Sequence, residues 1–285
     1  MCYHKDKAYS CSLGIIFFFA RWGLMENILE KLKEIKQGEI GITLYSTTED
    51  KILHTLNKDL IVPLASAAKI VIAFCVVKLV EEQKYKWTDQ IQNINFNPDE
   101  DSDVLYPHYQ NRSRLMLCEA VEVMIACHDS HVANSIVQFC GTWDYFNQKI
   151  RTYFKKINIK QNPKDLSSEG ELAQILELLK CSIQGYDSEP EVWAPLINGL
   201  VRQRGEIKGI PSHLVNHMTG GLDNVVIDIG IIGEFSKAPI LFVLGAKNLP
   251  NRNINQLADE KIAEALKLIY ETYCKSNNVQ DCKIL

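Results

Sequence analysis

A chain of 285 residues with a 46% hydrophobic fraction carries enough apolar material for one large folded unit or two interleaved ones, which excludes an intrinsically disordered protein. Its 35 acidic and 31 basic residues leave a net charge of −4 and are mixed along the chain, so no nucleic-acid surface is expected. The nine cysteines, Cys2, Cys11, Cys75, Cys118, Cys127, Cys140, Cys181, Cys274 and Cys282, are scattered and odd in number, several in apolar helical stretches; they read as reduced thiols, which favours a cytoplasmic protein.

In chain order, Leu13 to Ala20 is a short apolar run preceded by Lys5 and Lys7. It is too short to span a membrane and is followed directly by Arg21 and Trp22 without a small-x-small cleavage site, so no stable membrane span is expected. Residues 1–24 read as an extension or a mis-assigned start, with export by a weak N-terminal signal as the alternative. From Met25 an amphipathic helix begins, with Ile28, Leu29, Leu32 and Ile35 on its apolar face. Two strands follow, Ile40 to Tyr45 and Lys51 to Leu56, joined as a hairpin by the polar turn at Thr47 to Asp50. Ala65 to Glu82 is apolar on nearly every side and therefore predicts a buried helix.

Thr88 to Ser113 is polar, dotted with aromatic residues and reads as loop; Tyr106 and Tyr109 there are either pocket-lining platforms or packing. Helical patterns resume at Leu115–Cys127, Ser130–Cys140, Trp143–Lys156, Ser167–Cys181 and Glu189–Gln203. Strand character returns at His213–Thr219, Asn224–Phe235 and Pro239–Gly245, before a last amphipathic helix over about Asn255–Cys274. The economical arrangement is an α/β (α+β) fold: a mostly antiparallel five-stranded sheet built from both ends of the chain and flanked by the terminal helices, with an all-α domain inserted. The expected division is 25–62 plus 204–285 for the α/β domain and 63–203 for the all-α domain, with the active site at their interface.

The chemistry concentrates where Pro63-Leu64-Ala65-Ser66-Ala67-Ala68-Lys69 enters the buried helix. Lys69 lies one turn beyond Ser66 on the same helix face. A serine hydroxyl is a weak nucleophile until a base takes its proton, and a lysine can be that base when burial disfavours its ammonium form. The helix start also offers unpaired backbone N–H groups to a developing oxyanion. On spacing alone, a serine at an ordinary helix start followed by a solvated lysine is the favoured reading.

Further matches lie downstream: M-I-A-C-H-D-S-H-V-A-N-S-I-V at Met124–Val137, N-H-M-T-G-G-L-D-N-V at Asn216–Val225, and the strand V-I-D-I-G-I-I. With the hairpin before P-L-A-S-A-A-K, the chain from about Gly38 to Cys274 resembles the class A β-lactamase and penicillin-binding serine hydrolase superfamily. Members of that superfamily carry S-x-x-K, then S-D-N, then K-T-G. The resemblance implies that Ser66 attacks a carbonyl, that Lys69 accepts its proton, and that the backbone N–H groups of Ser66 and Gly221 form the oxyanion hole. It also implies substrate contacts from Ser130, Thr219 and Gly220, although the two glycines also suit a simple strand-end turn.

Three departures qualify it. At the S-D-N position stands His128-Asp129-Ser130, so His128 replaces the serine that passes a proton to the leaving group; an imidazole suits that task near pH 7. At the K-T-G position Met218 replaces the lysine, so the preferred substrate is expected to lack the carboxylate that the lysine supports. Between Ile157 and Ser167 there are only N-I-K-Q-N-P-K-D-L, too few for the family's loop and without its deacylating glutamate; Glu169 and Glu171 are expected in the first turn of the next helix.

Cys127, His128 and His131 invite a metal reading, but no second cluster completes a ligand set, so no metal or cofactor is expected. The sequence thus predicts a serine hydrolase acting on a small-molecule or peptide substrate through an amide or ester bond, with β-lactam hydrolysis doubtful. The alternative is a non-catalytic or sensor-type ligand-binding descendant of the same fold.

Overall fold

The computed structural model describes residues 26–203 and 205–277; the readings made on residues 1–25 lie outside it. Helix α1 (26–33) is followed by β1 (Glu39–Ser46), β2 (Lys51–Leu56) and the short β3 (Ile61–Pro63). A single 3-10 turn, Ala65–Ala67, leads into α2 (Ala68–Glu81). Then come β4 (Gln90–Gln92), α3 (Ser102–Leu105), β5 (Arg114–Met116), α4 (Leu117–Ala126), α5 (Ser130–Cys140), α6 (Trp143–Arg151), β6 (Ile157–Asn158) and β7 (Glu169–Glu171). Helices α7 (Leu172–Ser188) and α8 (Pro190–Arg202), strands β8 (Val215–Leu222), β9 (Val225–Ile232) and β10 (Ile240–Lys247), and helix α9 (Leu257–Ser276) complete the chain.

The main sheet has the order β2-β1-β10-β9-β8, and each neighbouring pair is antiparallel. Alternation of side chains along each strand divides the core in two. On one face Phe242 and Leu244 pack with Ile28, Leu32, Leu266 and Ile269 of the terminal helices. On the other, Leu241, Val243, Ile227 and Ile229 join Leu64, Phe74, Leu172 and Leu176 of the helical part. Both faces are covered, which explains why β9 and β10 read as nearly unbroken apolar runs. The expected α/β architecture with terminal helices is therefore present.

Helix α2 is buried on all sides, from Ala68 through Val77 and again at Leu79, as its apolar sequence requires. Several boundaries differ from the expected ones. Helix α6 stops at Arg151, because the chain from Thr152 turns to supply β6. Glu169 and Glu171 are not in a helix: pairing of Pro63 with Glu169 and of Ile61 with Glu171 keeps them extended on β7, and α7 starts only at Leu172. Among the described cysteines, Cys75, Cys118, Cys127, Cys140 and Cys181 are free thiols, whereas Cys274 is disulfide-bonded, so the reading of all nine as reduced fails there.

Candidate active site

Strand β8 forms one edge of the sheet and lies against the turn that opens α2. Gly220 makes this approach possible: a Cβ there would lie 2.2 Å from Leu64 O and 3.1 Å from Ala67 N. No other residue type fits without separating strand and turn. The register pairs Gly220 with Ile227 and Met218 with Ile229, so both turn toward the helical part, while His217 and Thr219 share the opposite face with Asp228. His217 and Asp228 are buried there as a pair at 2.7 Å. Burial opposes protonation of His217, but the charge and hydrogen bond of Asp228 outweigh it and raise the pKa. Gly221 is exposed at the strand's rim.

Ser66 sits in the 3-10 turn, half-buried, directly after Ala65, which is buried with φ of 46°. A left-handed backbone at a buried alanine is costly and persists only where its surroundings enforce it; here the Leu64 N–H is held by Ser168 O at 2.7 Å. Lys69, one turn on, is only 3% exposed. Burial outweighs the nearby charges of Glu100 and Asp129 and brings its pKa down to about 8.

His128 stands between α4 and α5, also left-handed, with φ of 56°. The Gln203 amide contacts its Nε2 and donates to Met218 Sδ at 3.3 Å. The two positions that depart from the superfamily pattern are therefore joined through one side chain. Burial, followed by the positive charges of Lys69 and His217, pushes His128 down to about 3. The expectation of an imidazole titrating near pH 7 is thus corrected: this ring stays neutral, because a second positive charge beside Lys69 in a desolvated pocket is unfavourable.

Asp129 is fully buried and caps α5, accepting from the N–H groups of His131 and Val132 at 2.9 Å each and of Asn97 at 3.0 Å. Ser130 Oγ accepts from Asn97 Nδ2 at 3.1 Å. Gly220 of β8 thus lies against the turn that carries Ser66, Gln203 ties Met218 of the same strand to His128, the charge of Lys69 reaches His128, and Ser130 follows His128 at the start of α5. Thr219 turns to the other face of β8.

Tyr106 and Tyr109 are not open platforms. They stack on each other at 5.5 Å, the Tyr106 hydroxyl donates to Glu122 at 2.8 Å, and Tyr109 lies under Arg112. Between β6 and β7 the one carboxylate is Asp165, bonded to Ser167, and Glu171 is ion-paired with Lys156. Sequence reasoning did not single out Asn97, Glu100 or Gln203 for the site: the first two read as loop and the third as a helix end.

A family model, described as the beta-lactamase enzyme family, matches residues 24–273. The chain belongs to that family. Its fold is similar to that of a point mutant of PBP-A solved as an acyl-enzyme complex with penicillin G, with a TM-score of 0.74 at 18% identity, covering 89% of this chain and 97% of that one. A beta-lactamase from Chitinophaga pinensis DSM 2588 gives 0.73 at 18% identity over 87% and 98% of the two chains. The ancestral class A beta-lactamase GNCA gives 0.71 at 20% identity over 87% and 99%. No curated protein matches the chain. At these identities the solved structures establish the β-lactamase fold, and the family match establishes membership. Among the described residues, no helix of this family member is long and apolar enough to cross a membrane.

Proposed function

We propose that this β-lactamase family member is a serine hydrolase that forms an acyl-enzyme on Ser66 with Lys69 as proton acceptor. The observation that carries the reading is the burial of Lys69 one helical turn from Ser66. With a pKa of about 8, roughly a tenth of Lys69 is neutral at pH 7, against about three in ten thousand for an unperturbed lysine at 10.5. The lysine takes the hydroxyl proton as Oγ bonds to the carbonyl carbon, and the N–H groups of Ser66 and Gly221 receive the oxyanion. His128 conveys a proton to the leaving group as a neutral ring, giving up one N–H while recovering a proton that originates on Lys69.

The substrate is an amide, ester or peptide. Met218 is wholly buried beside Gln203 and His128, so the strand offers no cation at that point to a substrate carboxylate. This supports substrates that are uncharged there. A second reading is favoured by the short β6–β7 connection, which supplies no free carboxylate to the site: Ser66 would be acylated as a sensor and released slowly.

A PBP-A variant forms an acyl-enzyme with penicillin G, which makes that compound, alongside a fluorophosphonate, the natural first probe. Intact mass should show one covalent adduct on the parent chain and none on Ser66→Ala. Absence of an adduct from either probe would sink the nucleophile assignment.

A further inference from the structure

An acyl-serine is hydrolysed only when a base takes a proton from the attacking water. Lys69 is the proposed proton acceptor of the first step, and the candidate groups for the second differ sharply in their availability. The Asp129 carboxylate is committed to three backbone N–H groups. His128 is a very weak base in its buried position. Asp165 is engaged by Ser167.

Glu100 is different. The turn that carries it is folded back onto the start of α5 by two bonds from Asn97, to Asp129 at 3.0 Å and to Ser130 at 3.1 Å, and is closed by the Glu100 N–H on Asn97 O at 3.2 Å. The side chain is half-buried. Among the described residues its carboxylate makes no hydrogen bond or ion pair, yet of the charges acting on Lys69 that of Glu100 is the largest, and the reverse also holds. An uncommitted carboxylate has been brought into the electrostatic field of the buried lysine by a turn anchored on the same helix start that carries His128 and Ser130.

We propose that Glu100 is the base that activates water for release of the acyl group from Ser66. This rests on the acyl-enzyme reading above and adds the second half of its cycle. Glu100 takes one proton of the water while the water oxygen bonds to the acyl carbonyl carbon. The tetrahedral intermediate collapses by breaking the bond between that carbon and Ser66 Oγ. The proton held by Glu100 returns to Oγ by way of Lys69, leaving a carboxylic acid, a free serine and a carboxylate ready for the next cycle.

Time-resolved intact mass with penicillin G tests this on the full chain. Glu100→Gln should acylate no more slowly than the parent, because loss of the Glu100 charge lowers the Lys69 pKa further and leaves more of the lysine neutral, while its adduct should persist about a hundredfold longer or more. Glu100→Asp should give an intermediate lifetime, which a merely structural role would not produce. Equal adduct lifetimes in the parent and Glu100→Gln would overturn the assignment while leaving Ser66 as nucleophile. Absence of any adduct on the parent would overturn the nucleophile reading and this assignment with it.

Discussion

The two ends of the candidate site differ in how their residues are held. At the α2 end, Ser66, Lys69 and the Gly220-Gly221 edge of β8 match the superfamily's sequence pattern and are held by packing: a strained turn at Ala65, a buried lysine, and a strand that approaches to within the space of a missing methyl group. At the opposite end, around the start of α5, His128 and Met218 stand where the superfamily pattern has a serine and a lysine, and Gln203 joins them. The proposed nucleophile and the proposed charge-handling groups are therefore held in different ways. Backbone packing fixes the first, whereas the second depends on a few side chains that can change together.

Substitutions at each end put this contrast at risk. The largest effect is expected at the α2 end. Lys69→Met should reduce acylation by about 10²- to 10⁴-fold without loss of the fold, since it removes the base and relieves a buried charge. Stopped-flow acylation with a reporter ester, alongside thermal unfolding, measures both quantities. Gly220→Ala comes next: the methyl group meets Leu64 O at 2.2 Å, so strand and turn must part. A loss of about 1–3 kcal/mol in denaturant unfolding is expected, with at least a tenfold slower acylation. A stability equal to that of the parent would show that the β8–α2 contact is not tight.

The smallest effect belongs to the altered end. His128→Ala should slow acylation roughly tenfold, below the usual range of about 10²- to 10⁴-fold for proton-transfer groups, because the ring acts without ionising. Its contribution should therefore add no inflection between pH 5 and 8 to the parent's rate profile. Such an inflection that vanished in His128→Ala would show that the imidazole titrates after all.

The sequence made the α2 end legible because its chemistry is local. S-x-x-K at the start of an all-apolar helix places a serine one turn from a lysine, and the matches downstream turn that spacing into the expectation of a nucleophile and its base. The five-stranded sheet was equally readable, since period-two alternation survives along β1 and the C-terminal strands are continuous apolar runs. The altered end was not, for a physical reason. The basicity of His128 is set by Lys69 and His217, which lie far from it in sequence, and by burial that no local pattern reports. Glu100 stayed hidden because its turn is placed by two bonds from Asn97 to a helix start more than thirty residues away, and Asn-Pro-Asp-Glu reads only as loop. Glu169 and Glu171 were misplaced for a related reason: cross-strand pairing with β3 overrides a helical pattern that continues without a break into α7.

Everything proposed for this site depends on burial tuning Lys69 to accept the Ser66 proton, and the pH dependence of acylation measures that tuning most directly. A lysine acts as a base only when deprotonated, so a pKa lowered from 10.5 to about 8 moves the rising limb of the profile down to that pH. The acylation rate should rise with pH, level off above about 8, and lose this limb in Lys69→Met. A rate that is flat through this range, or that keeps rising toward about pH 10 as for a solvated lysine, would contradict the assignment.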